Sequence, residues 1–235
     1  MPMLHVEGFG KSFGISHLNQ TIQAVDNIHF SVEEAEFLGV TGKSGSGKST
    51  ILKSIYRTYL PEKGQIWFDS KQFGIIDLFQ ASEQQIVYLR KHEIGYVSQF
   101  LSVMPRTTSL QLVEKSVLEM GSSHAKARVE ARDVLNHFEL DEKLWHTFPN
   151  TFSGGEKLRL NIAIASVKKP RLLLLDEPTA SLDAKSKIRV RELMEKLKND
   201  GTTLVGIFHD IEFMDGLCDR VYDMKQKAYM QAEVL

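Results

Sequence analysis

The chain has 235 residues, a formal net charge of −1, 42% hydrophobic residues and 25% charged residues. This length supports one full hydrophobic core, so we expect a single domain over residues 1–235 and no second large domain. The near-zero net charge provides no general attraction to nucleic acid or to an anionic membrane, and we expect neither as a partner.

The sequence shows no signal peptide, no membrane-spanning run and no possible internal disulfide. The first residues lack the basic and apolar regions of a signal peptide, and the longest apolar run, Leu172–Leu175, is far too short to cross a bilayer. We therefore expect a cytoplasmic protein with no direct membrane insertion. The single cysteine, Cys218, permits no internal disulfide and is expected to be a buried thiol.

The first predicted elements surround a glycine-rich loop. Strand-like runs occur at Asn27–Val32, Glu36–Thr41 and Gly64–Asp69, and helical spacing extends from Lys48 to about Thr58. We interpret these runs as a core of the strand–helix–strand type, in which the helix connects parallel strands.

The loop between the second strand and this helix, Gly42–Ser49, fits G-x-x-x-x-G-K-[ST], the phosphate-binding loop of nucleotide-binding proteins. Its glycines let backbone N–H groups approach phosphate oxygens, and the positive end of the helix dipole favours the anion. Lys48 is predicted to reach the β- and γ-phosphates, and the Ser49 hydroxyl to bind Mg²⁺. The alternative is a flexible Gly/Ser turn.

The middle of the chain changes from mixed to helical character. Phe73–Leu78 is consistent with an edge strand, Ser82–Arg90 with a short helix and Ile94–Val97 with a strand. No strand-like run follows between about Thr108 and Trp145, where one helical stripe contains Ala127, Ala131, Val134, Leu135 and Phe138. We predict a helical subdomain, over about residues 108–150, inserted into an α/β core.

The last third returns to alternating elements. They are a helix from about Gly155 to Lys168, a strand at Leu172–Leu175, a helix with Val190, Leu193, Met194 and Leu197 on one face, and strands at Thr203–Phe208 and near Asp219–Met224. Gly201 is predicted to end the second of these helices. The tail after Lys225 is expected only to decorate the fold.

Two carboxylates close the strand at Leu172–Leu175. An apolar run of this kind is typical of a strand buried on both faces of a parallel sheet, which presents Asp176 and Glu177 at the ligand-binding edge. Asp176 is predicted to hold Mg²⁺ through water, and Glu177 to accept a proton from an attacking water. Taken alone, the run could also be a core strand with an acidic end.

A second anion-binding element precedes that strand. Ser153, Gly154 and Gly155 open a helix, whose N-terminus can bind an anion. Here the chain resembles the ATP-binding cassette ATPases, in which the Ser-Gly-Gly signature of one subunit closes on the γ-phosphate held by the other. The resemblance implies an α/β P-loop fold with an antiparallel β subdomain and an inserted helical subdomain.

Other positions match the cassette family in order and spacing. Gln99 resembles the glutamine that contacts Mg²⁺, Ser181–Asp183 the loop that crosses the dimer interface, His209 the histidine that contacts the γ-phosphate, and Phe13 the aromatic that stacks on adenine. Each residue also has an ordinary structural alternative when it is considered alone. Gln99 could be a surface amide and Asp183 a helix cap. His209 could be a polar residue at a strand end, and Phe13 a core residue.

The resemblance thus implies ATP and Mg²⁺ as ligands. Catalysis would use Lys48, Gln99, Glu177 and His209, and metal binding Ser49, Gln99 and Asp176. Nucleotide binding would use Phe13, Gly42, Ser44, Gly45, Ser46, Gly47, Lys48, Ser49, Thr50, Ser153, Gly154, Gly155 and Asp183. Ser153 and Gly155 would act on the ATP held by another subunit, either a second copy or a sister cassette, in an ATP-sandwich dimer.

Finer details resemble one group, the PhnL cassettes of the bacterial carbon–phosphorus lyase pathway. They lie in residues 98–106, 144–156, 176–185 and 206–210. This resemblance implies soluble C–P lyase core subunits as partners and a role in forming α-D-ribose 1-methylphosphonate 5-triphosphate. Composition and spacing do not show that chemistry.

The signature region departs from the usual cassette pattern. Glu156 stands where Gln is usual, Leu158 and Ile164 replace polar residues, and the predicted catalytic set is complete. Two other functions stay open: a motor subunit for a membrane transporter that imports phosphonate or exports lipoprotein or peptide, and a scaffold that binds ATP without meaningful hydrolysis.

Overall fold

The computed structural model describes residues 2–15, 20–99, 101, 105–180 and 182–230. The strands are β1 Leu4–Ile15, β2 Gln20–Val32, β3 Phe37–Thr41, β4 Lys63–Ser70, β5 Gly74–Asp77, β6 Ile94–Val97, β7 Leu172–Asp176, β8 Thr203–Ile207, β9 Arg220–Asp223 and β10 Ala228–Tyr229. The α-helices are α1 Lys48–Ile55, α2 Glu83–His92, α3 Ser109–Glu119, α4 His124–His137, α5 Glu142–Trp145, α6 Gly154–Ser166, α7 Ala184–Asn199 and α8 Ile211–Met214.

A six-stranded sheet, in the order β10-β9-β3-β8-β7-β6, forms the centre of the fold. Strands β9, β3, β8, β7 and β6 are parallel, and every residue of β3, β7 and β8 is buried. Their carboxyl ends therefore meet at one edge of the sheet, where a parallel sheet binds its ligands. The predicted α/β fold class is confirmed.

A second sheet is antiparallel, with the order β2-β1-β4-β5. The strand–helix–strand interpretation was wrong for Asn27–Val32 and Gly64–Asp69, because β2 and β4 belong to this sheet and the parallel neighbours of β3 are β8 and β9. Strand β1 was not predicted. Its register against β2 shifts between Val6 and Phe9, which interrupts the alternation that would mark a strand.

In the described residues, the chain between β6 and β7 contains helices and loops but no strand. The predicted stripe is buried at Ala127, Ala131, Leu135 and Phe138, and it packs with α3 and α6 in one hydrophobic cluster. Side-chain caps begin α2, α3, α4, α6 and α7. These caps satisfy backbone N–H groups that have no partner inside a helix.

The segment after Lys225 does more than decorate the surface. It forms β10, and the Tyr229 hydroxyl both accepts from the Ser31 N–H (2.8 Å) and donates to the Ser31 carbonyl (3.0 Å). Ser31 belongs to β2, so Tyr229 connects the edge of the parallel sheet to the antiparallel sheet. The Arg220 guanidinium lies 4.5 Å from the centre of the Tyr229 ring and adds a cation–π contact.

Candidate functional site

The predicted phosphate loop lies between buried strand β3 and helix α1. Gly47 has φ 86°, and a Cβ there would lie 2.2 Å from Val25 Cγ2 and 2.5 Å from the Ala24 carbonyl oxygen. Only glycine fits this position, since a side chain would meet both an unfavourable backbone conformation and a neighbouring strand. Ser44 and Gly45, at the tip, are exposed, whereas Thr50 lies within α1.

Lys48 folds back over this loop. Its Nζ donates to the carbonyl oxygens of Gly42 (2.8 Å) and Lys43 (3.0 Å). Burial lowers the pKa of Lys48 from its ordinary value, and the nearby carboxylates of Glu177 and Asp176 oppose that shift. The loop therefore holds a cation at the point where the motif predicts phosphate.

Asp176 ends β7 beside the phosphate loop. Its Oδ1 accepts from the Ser49 hydroxyl at 2.7 Å, and its Oδ2 accepts from the Tyr96 hydroxyl at 2.6 Å. Asp176 is 6% exposed, so both hydrogen bonds offset the cost of burying its charge. Ser49 and Asp176, both predicted to take part in Mg²⁺ binding, are therefore in direct contact.

This oxygen pair fits Mg²⁺. The described residues contain no group of three His, Cys, Asp or Glu side chains that could hold a metal ion. Mg²⁺ does not need such a group, because it commonly binds through one or two carboxylates together with substrate phosphates. A hydroxyl and a carboxylate oxygen 2.7 Å apart, next to a phosphate loop, supply the hard donors that this ion prefers.

Glu177 is the centre of a second polar group. Its Oε1 lies 2.8 Å from His209 Nε2, and its Oε2 lies 3.4 Å from the Gln99 Nε2 donor. The strands bring these residues together, because Gln99 follows β6, Glu177 follows β7 and His209 follows β8. Gln99 thus contacts Glu177, although its predicted partner was the metal site.

The backbone at Glu177 is also unusual. This residue has φ 51°, in the left-handed region that non-glycine residues adopt at a cost of about 1–3 kcal/mol. Such strained residues occur often at active sites. The conformation aims the Glu177 carboxylate at His209 at the sheet edge, one position beyond Asp176.

The predicted signature segment begins α6. Ser153 caps this helix, as its hydroxyl accepts from the Glu156 N–H (3.3 Å) and donates to Glu156 Oε2 (2.8 Å). The same Oε2 accepts from the Ser153 N–H at 2.7 Å. Glu156 therefore completes a capping box, and a phosphate that accepts a hydrogen bond from the Ser153 hydroxyl must take the place of Glu156 Oε2.

Asp183 begins α7 next to that segment. Its Oδ1 accepts from the Ser186 N–H at 2.7 Å, and the Ser186 hydrogen bonds lower the pKa of the Asp183 carboxyl. A Cβ on Gly155 would lie 2.9 Å from Ser186 Oγ, so the starts of α6 and α7 touch. Asp183 is a helix cap in this structure, the alternative that the sequence had left open.

Phe13 packs against Tyr59, in the segment that follows α1. Its ring meets the Tyr59 ring edge to face at 5.2 Å, and Lys11 Nζ lies 5.4 Å from its centre. The ring is half-buried, so it keeps an accessible surface. Its stacking on adenine stays a prediction.

Two small cavities border Glu177, each of about 220 Å³. One is lined by Gln99, Gly154 and Asn161 among others, and the other by His209 and Lys187 among others. Glu177 therefore faces both the signature helix and the end of β8. A water can occupy a polar cavity of this size.

Two residues that contribute to the site, Tyr96 and Asn161, were not predicted from the sequence. Tyr96 donates to Asp176, and Asn161 Nδ2 donates to the Ser98 carbonyl at 2.9 Å, which joins α6 to the residue before Gln99. Tyr96 could have been found from its hydroxyl, because it lies on the predicted strand that precedes the one with the acidic end. Asn161 interrupts the apolar run of α6, and it supplies a polar contact on the helix where Leu158 is buried and Ile164 half-buried.

Some residues used for the predictions lie outside the described residues. They are Ser181 of the predicted interface loop, and Phe100, Ser102, Val103 and Met104 of the segment after Gln99. In the described part of the chain, no helix is both long and apolar enough to span a membrane.

Comparison with known proteins shows which protein family the chain matches. The model of the ABC transporter family matches residues 25–180. The chain is 33% identical to the lipoprotein-releasing system ATP-binding protein LolD of Shewanella sp. (strain MR-4), over 98% of this chain and 96% of LolD. It is 34% identical to the cell division ATP-binding protein FtsE of Bacillus subtilis, over 85% of each protein.

A solved structure agrees with these matches. The dimeric post-hydrolysis state of the ATP-binding cassette MJ0796 bound to ADP and Pi superposes with a TM-score of 0.87 and 29% identity. The similarity covers 97% of this chain and 98% of that one. It extends across both sheets and the intervening helices.

Proposed function

Since this chain belongs to the ABC transporter ATPase family, we propose that it binds ATP with Mg²⁺ and hydrolyses the γ-phosphate at a site completed by a second cassette. One observation carries the proposal. Glu177 lies 2.8 Å from His209 at the sheet edge, directly after an Asp176 that is hydrogen-bonded to the phosphate-loop residue Ser49.

Each residue has a role that follows from its position. Lys48 and the loop N–H groups bind the β- and γ-phosphates, and Ser49 and Asp176 provide oxygens for the metal. Mg²⁺ at those oxygens would neutralise charge on the phosphates. Glu177 orients the attacking water and accepts its proton, while His209 holds both Glu177 and the γ-phosphate oxygen.

A second chain supplies the missing side of the site. The tip of the phosphate loop is exposed, and so are Ser153 and Gly154 at the start of α6. Two exposed anion-binding surfaces on one chain fit a dimer in which each loop faces the α6 start of the partner. The dimeric MJ0796 cassette supports this arrangement.

The comparisons favour a motor subunit of a membrane transporter as the wider role. LolD is named for lipoprotein release, and a Brucella ovis relative, 31% identical over 94% of this chain and 68% of its own length, is named a putative peptide import ATP-binding protein. On this proposal separate membrane proteins dock on the cassette, and the ATP-driven dimer moves them.

A second candidate role rests on the PhnL resemblance. The segments around Gln99, Ser153, Asp183 and His209 resemble the cassettes of the carbon–phosphorus lyase pathway. On this proposal the chain joins soluble C–P lyase subunits and a sister cassette, and supports formation of α-D-ribose 1-methylphosphonate 5-triphosphate. The catalytic site would be the same, and only the partner would differ.

The catalytic proposal is tested with Glu177→Gln. We expect phosphate release to fall by at least 100-fold, because the variant cannot accept the proton, and ATP with Mg²⁺ to convert the purified protein to a stable dimer. Glu192→Gln, an exposed change on α7, is the matched control and should keep wild-type turnover. A Glu177→Gln protein that stays monomeric with ATP would contradict the dimer, and full turnover would contradict the role of Glu177.

The partner proposals are separated by affinity isolation of the intact protein from its own cells, with mass spectrometry of what is retained. Integral membrane proteins support the transporter role, and soluble phosphonate-lyase subunits support the second role. The scaffold alternative predicts no steady-state phosphate release with either set of partners present.

A further inference from the structure

Both oxygens of the Asp176 carboxylate accept hydrogen bonds, and the two donors differ in kind. Ser49 Oγ donates to Oδ1 from the start of α1, and Tyr96 Oη donates to Oδ2 from β6. Ser49 is itself a predicted metal ligand and must turn its oxygen toward the ion when the ion binds. Tyr96 is not a predicted metal ligand, so its hydrogen bond to Asp176 can remain in place when the ion binds.

The Tyr96 ring is held firmly. Strand β6 pairs in parallel with β7, with Tyr96 opposite Leu174, so the ring leaves the sheet two positions before Asp176. The Tyr56 ring at the end of α1 packs on it at 5.1 Å between ring centres. The Arg90 guanidinium lies 4.9 Å from the Tyr56 ring and supports the pair from α2.

The donor to Oδ2 is a hydroxyl group and not a cationic side chain. Burial, followed by the hydrogen bond to Asp176, raises the pKa of Tyr96 well above its ordinary value. A neutral donor stabilises the carboxylate without competing with a cation for it.

Mg²⁺ requires nearly ideal octahedral geometry, so the orientation of a carboxylate matters for its affinity. Outer hydrogen bonds that fix a metal ligand are typically worth 10- to 100-fold in metal affinity or activity. We propose that Tyr96 is a positioning residue for the metal site: its hydroxyl holds Oδ2 and the plane of Asp176, so that Oδ1 and Ser49 can take the ion together. This inference rests on the proposed Mg·ATP function.

The test is an equilibrium titration rather than an assay of turnover. Binding of a fluorescent ATP analogue is measured at increasing Mg²⁺ for wild type, Tyr96→Phe and the control Tyr56→Phe. The control removes a hydroxyl from the same ring pair and leaves both bonds of Asp176 in place. We expect the half-saturating Mg²⁺ concentration to rise roughly tenfold for Tyr96→Phe alone, with metal-free nucleotide affinity unchanged.

A second measurement needs no metal. A double-mutant cycle of Tyr96→Phe and Asp176→Ala in urea unfolding, without nucleotide or Mg²⁺, is expected to show a coupling of roughly tenfold in the unfolding constant. Coupling below twofold would overturn the contact itself. Equal Mg²⁺ dependence for Tyr96→Phe and wild type would overturn the positioning role while the proposed function stands. A wild-type protein whose ATP binding ignores Mg²⁺ would instead overturn the proposed function, and this inference with it.

Discussion

The His209 imidazole lies 2.8 Å from the Glu177 carboxylate, although the two residues follow different strands of the parallel sheet. Register explains their approach. Asp176 pairs with Ile207, so the residues that follow β7 and β8 leave the sheet at the same level. The sheet edge thus gathers a base and a hydrogen-bonding partner at the end of the phosphate loop.

His209→Ala should lower kcat by roughly 100-fold or more, because the variant loses a hydrogen bond that stabilises charge in the transition state. ATP affinity should change much less, since Lys48 and the loop N–H groups remain. Steady-state phosphate release and equilibrium ATP binding measure the two effects. His124→Ala, an exposed change on α4, serves as control. Normal turnover in His209→Ala would show that the contact with Glu177 is structural only.

Gly47→Ala should cost more stability than Gly45→Ala. Both positions have positive φ, 86° and 77°, and each change therefore carries about 1–2 kcal/mol of backbone strain. Only at Gly47 does the new methyl group meet Val25 and the Ala24 carbonyl, whereas a Cβ on Gly45 has nothing within 4 Å. Urea unfolding of the two variants gives the difference, and equal losses would contradict the close approach of β2 to the loop.

Asn161→Ala should lower turnover and the free energy of unfolding together. The variant loses the donor to the Ser98 carbonyl, a bond worth about 1 kcal/mol, and with it the tie between α6 and the residue before Gln99. Asn136→Ala, an exposed change on α4, provides the comparison. Stability and phosphate release are measured on the same samples. A variant that matches Asn136→Ala in both would show that this tie contributes nothing.

Cys218 should react with a thiol reagent only when the protein unfolds. The prediction of a buried thiol is confirmed, and burial raises the pKa of Cys218 to about 12. Because the unfolded thiol ionises near pH 8.5, the folded state retains the proton that the unfolded state loses. The contribution of the buried Cys218 thiol to the free energy of unfolding is therefore complete below about pH 8.5. It declines between that pH and about pH 12, by at most about 1.4 kcal/mol per pH unit.

Labelling at pH 8 with and without denaturant checks the burial. Unfolding of Cys218→Ala between pH 8 and pH 11 checks the sign, because the variant should lose stability less steeply than wild type. Rapid labelling of the native protein would contradict both expectations.

Prediction from sequence succeeded where the signal was local. The strand–loop–helix position of Gly42–Ser49, the acidic end of β7 and the end of α7 before Gly201 each depend on a few adjacent residues whose chemistry allows few alternatives. It failed for β1, whose irregular register hides its alternation, and for the sheet to which β2 and β4 belong. Sheet membership depends on pairing between distant segments, and a strand has the same local pattern in either sheet.

By itself, the sequence determined the kind of chemistry at each strand end: a cation and a hydroxyl after β3, two carboxylates at the end of β7 and a histidine after β8. Only the tertiary structure decided which of these groups meet. In the folded chain, Gln99 contacts Glu177 and Tyr96 donates to the second oxygen of Asp176. Asn161 donates to the Ser98 carbonyl. The physical reason is that residue identity is local, whereas a hydrogen bond between two strands or helices depends on register and packing across the whole sheet.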